Sequence, residues 1–124
     1  MKTKEERAEA ARQVIAGATG TEHWYRYWMG PMLYTDGVKG LAEAAGAYWL
    51  IDLIMSYQTG ARRKAAPFQV WTLKVRQDGT AVAEMRQDSD RPAEITQEIP
   101  STDFPLDEVQ LYLCDNVLLL PGEY

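Results

Sequence analysis

Residues 68–87 constrain the fold more than any other stretch, because only one pairing of them leaves a face that can be buried. Two alternating runs, Phe68–Arg76 and Thr80–Gln87, flank Gln77-Asp78-Gly79, a hairpin signal. A two-residue Asp-Gly loop would set Leu73 against Glu84 and Thr72 against Met85, mixing apolar and polar side chains on both faces. A three-residue loop with Gly79 left-handed sets Val75 against Ala81, Leu73 against Ala83 and Trp71 against Met85. That register gives one wholly apolar face. A one-residue slip would move every side chain to the other face, so the period of two selects the three-residue loop with a bulge at Gly79.

The rest of the second half continues in strands. Asp88-Ser-Asp-Arg-Pro92 turns the chain into a poorer strand, about Glu94–Ile99, whose outward Glu94, Thr96 and Glu98 have the pattern of a charge-protected edge. Val109–Cys114 and Val117–Leu120 surround Asp115-Asn116, two residues that tolerate positive φ, and form a second hairpin. Both faces of that hairpin are apolar, which places it inside the sheet or under a helix.

The first half reads as helical. Thr3 and Glu6 have capping-box spacing, and a helix from Thr3 to about Ala16 stops at Gly17. Its apolar stripe of Ala8, Ala11, Val14 and Ile15 is small, so residues 1–18 are expected to dock weakly on a core formed by 19–124. Trp24 and Trp28 are spaced i, i+4 and read as one helical face packed in the core, with Tyr25, Arg26 and Tyr27 reaching the surface. Thr35-Asp36 caps a long helix, about 37–58, that is apolar nearly all round and lies across the sheet. Gly60–Pro67 reads as a linker with a solvated Arg62-Arg63-Lys64 run. The expected fold is α+β in one domain, 1–124: N-terminal helices packed on an antiparallel sheet of four or five strands made of two hairpins and an edge strand.

Composition narrows the chemistry. A single cysteine, Cys114, excludes an internal disulfide, and a single histidine, His23, excludes His-rich metal sites. Cys114 sits in Leu-Tyr-Leu-Cys and reads as a small buried hydrophobe rather than a nucleophile. No complete catalytic motif is present, so no cofactor, metal or enzymatic role is expected. Residues 65–124 carry eleven acidic against four basic side chains, which argues against direct nucleic-acid binding. No apolar run has the length of a membrane span, and Met1–Arg12 is charged where a signal peptide is apolar, so a cytoplasmic protein without a membrane segment is expected.

Asp52 is the one anomaly. It lies inside Trp49-Leu-Ile-Asp-Leu-Ile, and a buried carboxylate requires a partner, either an aromatic hydroxyl or N–H or an arginine such as Arg26. Asp36 and Asp103 sit in loops and read as cap or turn residues.

Residues 19–124 resemble a family of small bacterial proteins, found near phage and plasmid genes, that carries a domain of unknown function. The resemblance rests on Leu33-Tyr-Thr-Asp-Gly-Val-Lys, Ala47-Tyr-Trp-Leu-Ile-Asp, Phe68-Gln-Val-Trp-Thr-Leu-Lys-Val, Thr102-Asp-Phe-Pro-Leu and Asp115-Asn-Val-Leu-Leu-Leu-Pro-Gly-Glu-Tyr. It implies an accessory protein of a mobile element, acting on a host or phage protein, and supplies no catalytic residues. The expected function is therefore non-catalytic protein binding, in the manner of an inhibitor of a host defence system. Tyr25, Arg26, Tyr27 and Asp52 are the candidate contacts. A small-molecule pocket near Asp52 and the 23–28 aromatic block is the alternative, and a homodimer a third reading.

Overall fold

In a computed structural model, which describes residues 2–124, the chain forms four α-helices and a seven-stranded sheet, with the helices Asp36–Ala45 and Tyr48–Ser56 supplying the helical side of the core. In chain order the elements are α1 (Lys4–Gly17), β1 (Trp24–Arg26), β2 (Leu33–Thr35), α2 (Asp36–Ala45), α3 (Tyr48–Ser56), α4 (Gly60–Ala65), β3 (Phe68–Val75), β4 (Ala81–Arg86), β5 (Ile95–Ile99), β6 (Glu108–Cys114) and β7 (Val117–Leu119). A 3₁₀ turn, Pro121–Glu123, follows. Across the sheet the order is β1-β2-β7-β6-β3-β4-β5. Among the described residues, no helix is long and apolar enough to cross a membrane.

The β3–β4 hairpin takes the register that buries one apolar face: Val75 faces Ala81, Leu73 faces Ala83 and Trp71 faces Met85, with Gly79 at φ +86°. Asp115 and Asn116 both adopt positive φ in the β6–β7 turn, and that hairpin lies inside the sheet between β2 and β3. The strand expected at the edge, β5, is the edge, with Glu94, Thr96 and Glu98 exposed. Thr3 and Glu6 form the capping box of α1 as their spacing requires.

Three expectations are corrected. The single helix over 37–58 is two helices: Gly46 takes the left-handed conformation (φ +66°) and ends α2, and α3 restarts at Tyr48. Glycine occupies that conformation without a Cβ clash, which makes it a natural helix stop. The break lets α2 bury Val38, Leu41, Ala42 and Ala45 while α3 re-aims Leu50, Ile51, Ile54 and Met55 onto the same core. Tyr48 and Asp52, one turn apart on α3, point outward.

The aromatic block is a strand, not a helix. Trp24–Arg26 pairs antiparallel with Leu33–Thr35, and β2 then pairs parallel with β7, which enlarges the sheet from the expected four or five strands to seven. A period of two replaces the period of 3.6, so Trp24 and Trp28 leave the core and stand 54% and 76% exposed, while Tyr27 goes in. Finally, the stretch read as a linker contains α4, capped by the Thr59 hydroxyl, which accepts from the Arg62 amide.

Helix α1 lies along α2 and buries Ala8 and Ala11. Arg7 adds an ion pair to Asp103 at 3.1 Å.

Candidate functional site

The turn between β1 and β2 and the outward face of α3 enclose a groove of about 530 Å³. Trp28, Met29, Pro31, Met32 and Met55 form its apolar walls, and Asp52 and Arg63 stand among its polar residues. Strand parity brings Tyr27 to this groove. Tyr25 and Tyr27 face the helices, whereas Arg26 faces the opposite side of the sheet.

Tyr27 is buried, and its hydroxyl donates to Asp52 Oδ1 at 2.7 Å. Burial first, and then this bond, push the Tyr27 phenol above its ordinary value. Asp52 has the aromatic partner that its place in an apolar helix demanded. The carboxylate itself is exposed at the groove rather than buried, because the break at Gly46 turns this face of α3 outward. Arg26 is not its partner.

Tyr25 stacks on Tyr34, with ring centroids 5.7 Å apart, and Lys39 Nζ lies 4.6 Å from the Tyr25 centroid. Lys39 also pairs with Glu43, which accepts from the Tyr48 hydroxyl. The four candidate contacts thus divide. Tyr27 and Asp52 form one unit in the groove, Tyr25 belongs to a neighbouring aromatic cluster, and Arg26 stands alone on the outer face.

Cys114 is half-buried; burial and the adjacent Asp115 raise its thiol pKa, which favours the un-nucleophilic form. Asp36 accepts from the Gly37 amide at the start of α2, and Asp103 holds Arg7.

One residue with a central part was not singled out by its sequence. Glu123 reaches back under the start of α2, where its Oε1 accepts from the Thr35 hydroxyl (2.7 Å) and the Leu120 amide (2.9 Å), and its Oε2 accepts from the Thr21 hydroxyl (3.0 Å). A side chain at Gly37 would collide with this carboxylate. Thr21 precedes β1 and Thr35 ends β2, so Glu123 ties both ends of the strand pair to the tail. The only sequence signal was the place of Glu123 in the tail motif.

The model of a family of unknown function, DUF6876, matches residues 9–124. An α+β chain with this sequence belongs to that family. No curated protein and no solved structure matches it.

Proposed function

We propose that the chain is a non-catalytic protein-binding protein that docks a partner in the groove between the β1–β2 turn and α3. The observation that carries this reading is the exposure of Trp28 (76%) and Met29 (60%) at one groove. Large apolar side chains held in water cost free energy unless a partner covers them, and aromatic residues dominate the energetics of protein interfaces. Methionine adapts to differently shaped partners. Asp52, whose second oxygen is free of Tyr27, supplies a polar handle for a donor on the incoming chain.

The likeness to proteins found near phage and plasmid genes supports a mobile-element setting in bacteria, with a component of a host defence system as the partner. The acidic second half of the chain suits a partner with a basic surface. One observation favours a small-molecule site instead: the Tyr27–Asp52 pair lies in the groove wall. The two readings separate by which residues matter. Tagged wild-type chain, Trp28→Ala, Met29→Ala and Asp52→Asn are used to capture proteins from a bacterial lysate. Loss of a single hot-spot side chain costs about 2 kcal/mol, or roughly 30-fold in affinity. A specific partner retained by the wild type and lost by Trp28→Ala and Met29→Ala is the expected result. Equal capture by all four chains would reject the groove. Thermal stabilisation by a metabolite extract that needs Asp52 and ignores Trp28 would favour the small-molecule reading.

A further inference from the structure

The open edge of the sheet at β1 carries a self-complementary register. The Tyr27 amide donates to the Met32 carbonyl and the Asp36 amide to the His23 carbonyl. Hydrogen-bonded pairs alternate along an antiparallel ladder, so residues 23, 25 and 27 direct their backbone groups at β2. The N–H and C=O groups of Trp24 and Arg26 therefore point away from β2 to the unpaired side. Above them stand the Trp24 indole, 54% exposed, and the Arg26 guanidinium, which is exposed and enters no ion pair among the described residues.

We propose that β1 pairs antiparallel with β1 of a second copy of this chain, with the two-fold axis at Tyr25, so that two sheets join into one. In this register Trp24 lies opposite Arg26 of the second copy, and the reverse. Both are hydrogen-bonded pairs, which gives four backbone hydrogen bonds. The Arg26 guanidinium of one copy meets the Trp24 ring of the other on the same face, a cation–π contact made twice. Tyr25 meets its own copy across a non-hydrogen-bonded pair, where Cα atoms approach to about 4.5 Å.

The neighbouring registers are poorer. Setting Arg26 against itself opposes like charges. Setting Trp24 against itself draws in Glu22, which lies in the bend before β1 rather than in the strand. A two-fold isologous interface of this kind is also the commonest symmetry among homo-oligomers. Occupation of the groove by another protein is a separate event, since Tyr27, Trp28 and Asp52 take no part here.

The test is the mass of the full chain in solution across the micromolar range, with folding checked by circular dichroism. The wild type should approach twice 14.0 kDa as concentration rises. Arg26→Pro removes an outward-pointing N–H and leaves the β1–β2 ladder intact, so it should be monomeric. Trp24→Lys places a cation against Arg26 and should be monomeric. Trp24→Glu places an anion there and should still dimerise, now weakening with salt. Tyr25→Cys in a Cys114→Ala background should oxidise to a covalent dimer. A wild-type mass of one chain at every concentration overturns the proposal. So does a dimer indifferent to Arg26→Pro, or equal loss with Trp24→Lys and Trp24→Glu.

Discussion

At one end of the sheet β5 shows solvent Glu94, Thr96 and Glu98, with Glu98 held by the two terminal guanidinium nitrogens of Arg76 at 3.0 Å and Pro92 and Pro100 just outside the strand. At the other end β1 shows Trp24 and Arg26, and the chain then runs into exposed Trp28 and Met29. Unpaired strand edges invite other chains, and charge or proline on the edge is the usual guard. The β5 edge has both. The β1 edge has no proline and only the single charge of Arg26, which enters no ion pair among the described residues, and it is only three residues long. The guarded edge belongs to a hairpin that its own turn holds in register, whereas the unguarded one is tied down from the far end of the chain by Glu123. A fold of this kind keeps one edge inert and leaves the other available, and the surfaces proposed above for partner and second copy both lie at the available end.

The largest expected effect comes from cutting that tie. Glu123→Ala removes three hydrogen bonds to a charged acceptor and leaves the buried Thr35 hydroxyl without its acceptor, a loss of about 2–4 kcal/mol. Chemical denaturation should show the loss. Amide exchange should locate it, with Tyr25 and Tyr27 accelerated more than the β4–β5 ladder. Glu123→Gln keeps the shape and should lose less. Uniform acceleration across the sheet would show that the tail supports the whole molecule and that the two edges do not differ in this respect.

The same contrast explains what could be read from sequence. Residues 68–120 were legible because long strands repeat their period often enough to fix a register, and Gly79, Asp115 and Asn116 mark turns that demand positive φ. Residues 24–35 were not. Three-residue strands carry too little alternation to compete with the coincidence that Trp24 and Trp28 are four apart. Gly46 lies among the small residues Ala44, Ala45 and Ala47, and nothing in that local pattern shows that it takes the left-handed conformation that ends the helix. The apolar surroundings of Asp52 in sequence demand a partner such as an aromatic hydroxyl, but nothing local assigns that part to Tyr27, whose expected place is the surface. The exposure of Asp52 was hidden because it follows from the turn of α3 at Gly46, a tertiary fact. Glu123 was hidden for another reason. Its partners Thr21 and Thr35 lie 102 and 88 residues earlier, and no local pattern reports such a contact.

A middle-sized effect tests the groove that flanks β1. The fold favours the neutral Tyr27 phenol, so its folded pKa lies above the unfolded value near 10. The resulting stability is fully present below pH 10 and is lost as pH rises through the folded pKa. Tyr27→Phe removes the bond to Asp52 at a cost of about 1 kcal/mol at neutral pH. It should also remove this part of the alkaline loss, leaving a flatter stability profile above pH 10. An unchanged alkaline profile would show that the loss arises at other tyrosines and that the Tyr27–Asp52 pair is not a unit.

The smallest effect on stability should come from the guarded edge, and it sharpens the comparison most. Arg76 and Glu98 are solvent-exposed, and an exposed ion pair contributes little to folding. Glu98→Val should therefore leave the melting temperature nearly unchanged. It replaces the central guard by a β-branched apolar residue between Gln97 and Ile99, producing a flat, low-charge edge of the kind that recruits other chains. Light scattering should then show concentration-dependent assembly that Arg26→Pro does not suppress, because it grows from the opposite end of the sheet. The wild-type guard should also survive mild acid. Hydrogen bonding to Arg76 holds the Glu98 carboxyl below its ordinary value, so the charge persists as pH falls until that lowered pKa is reached. If Glu98→Val stays monodisperse, charge is not what keeps β5 inert. The flanking prolines and the twist of the strand would then be the guard, and the edges would differ by backbone geometry rather than by side-chain chemistry.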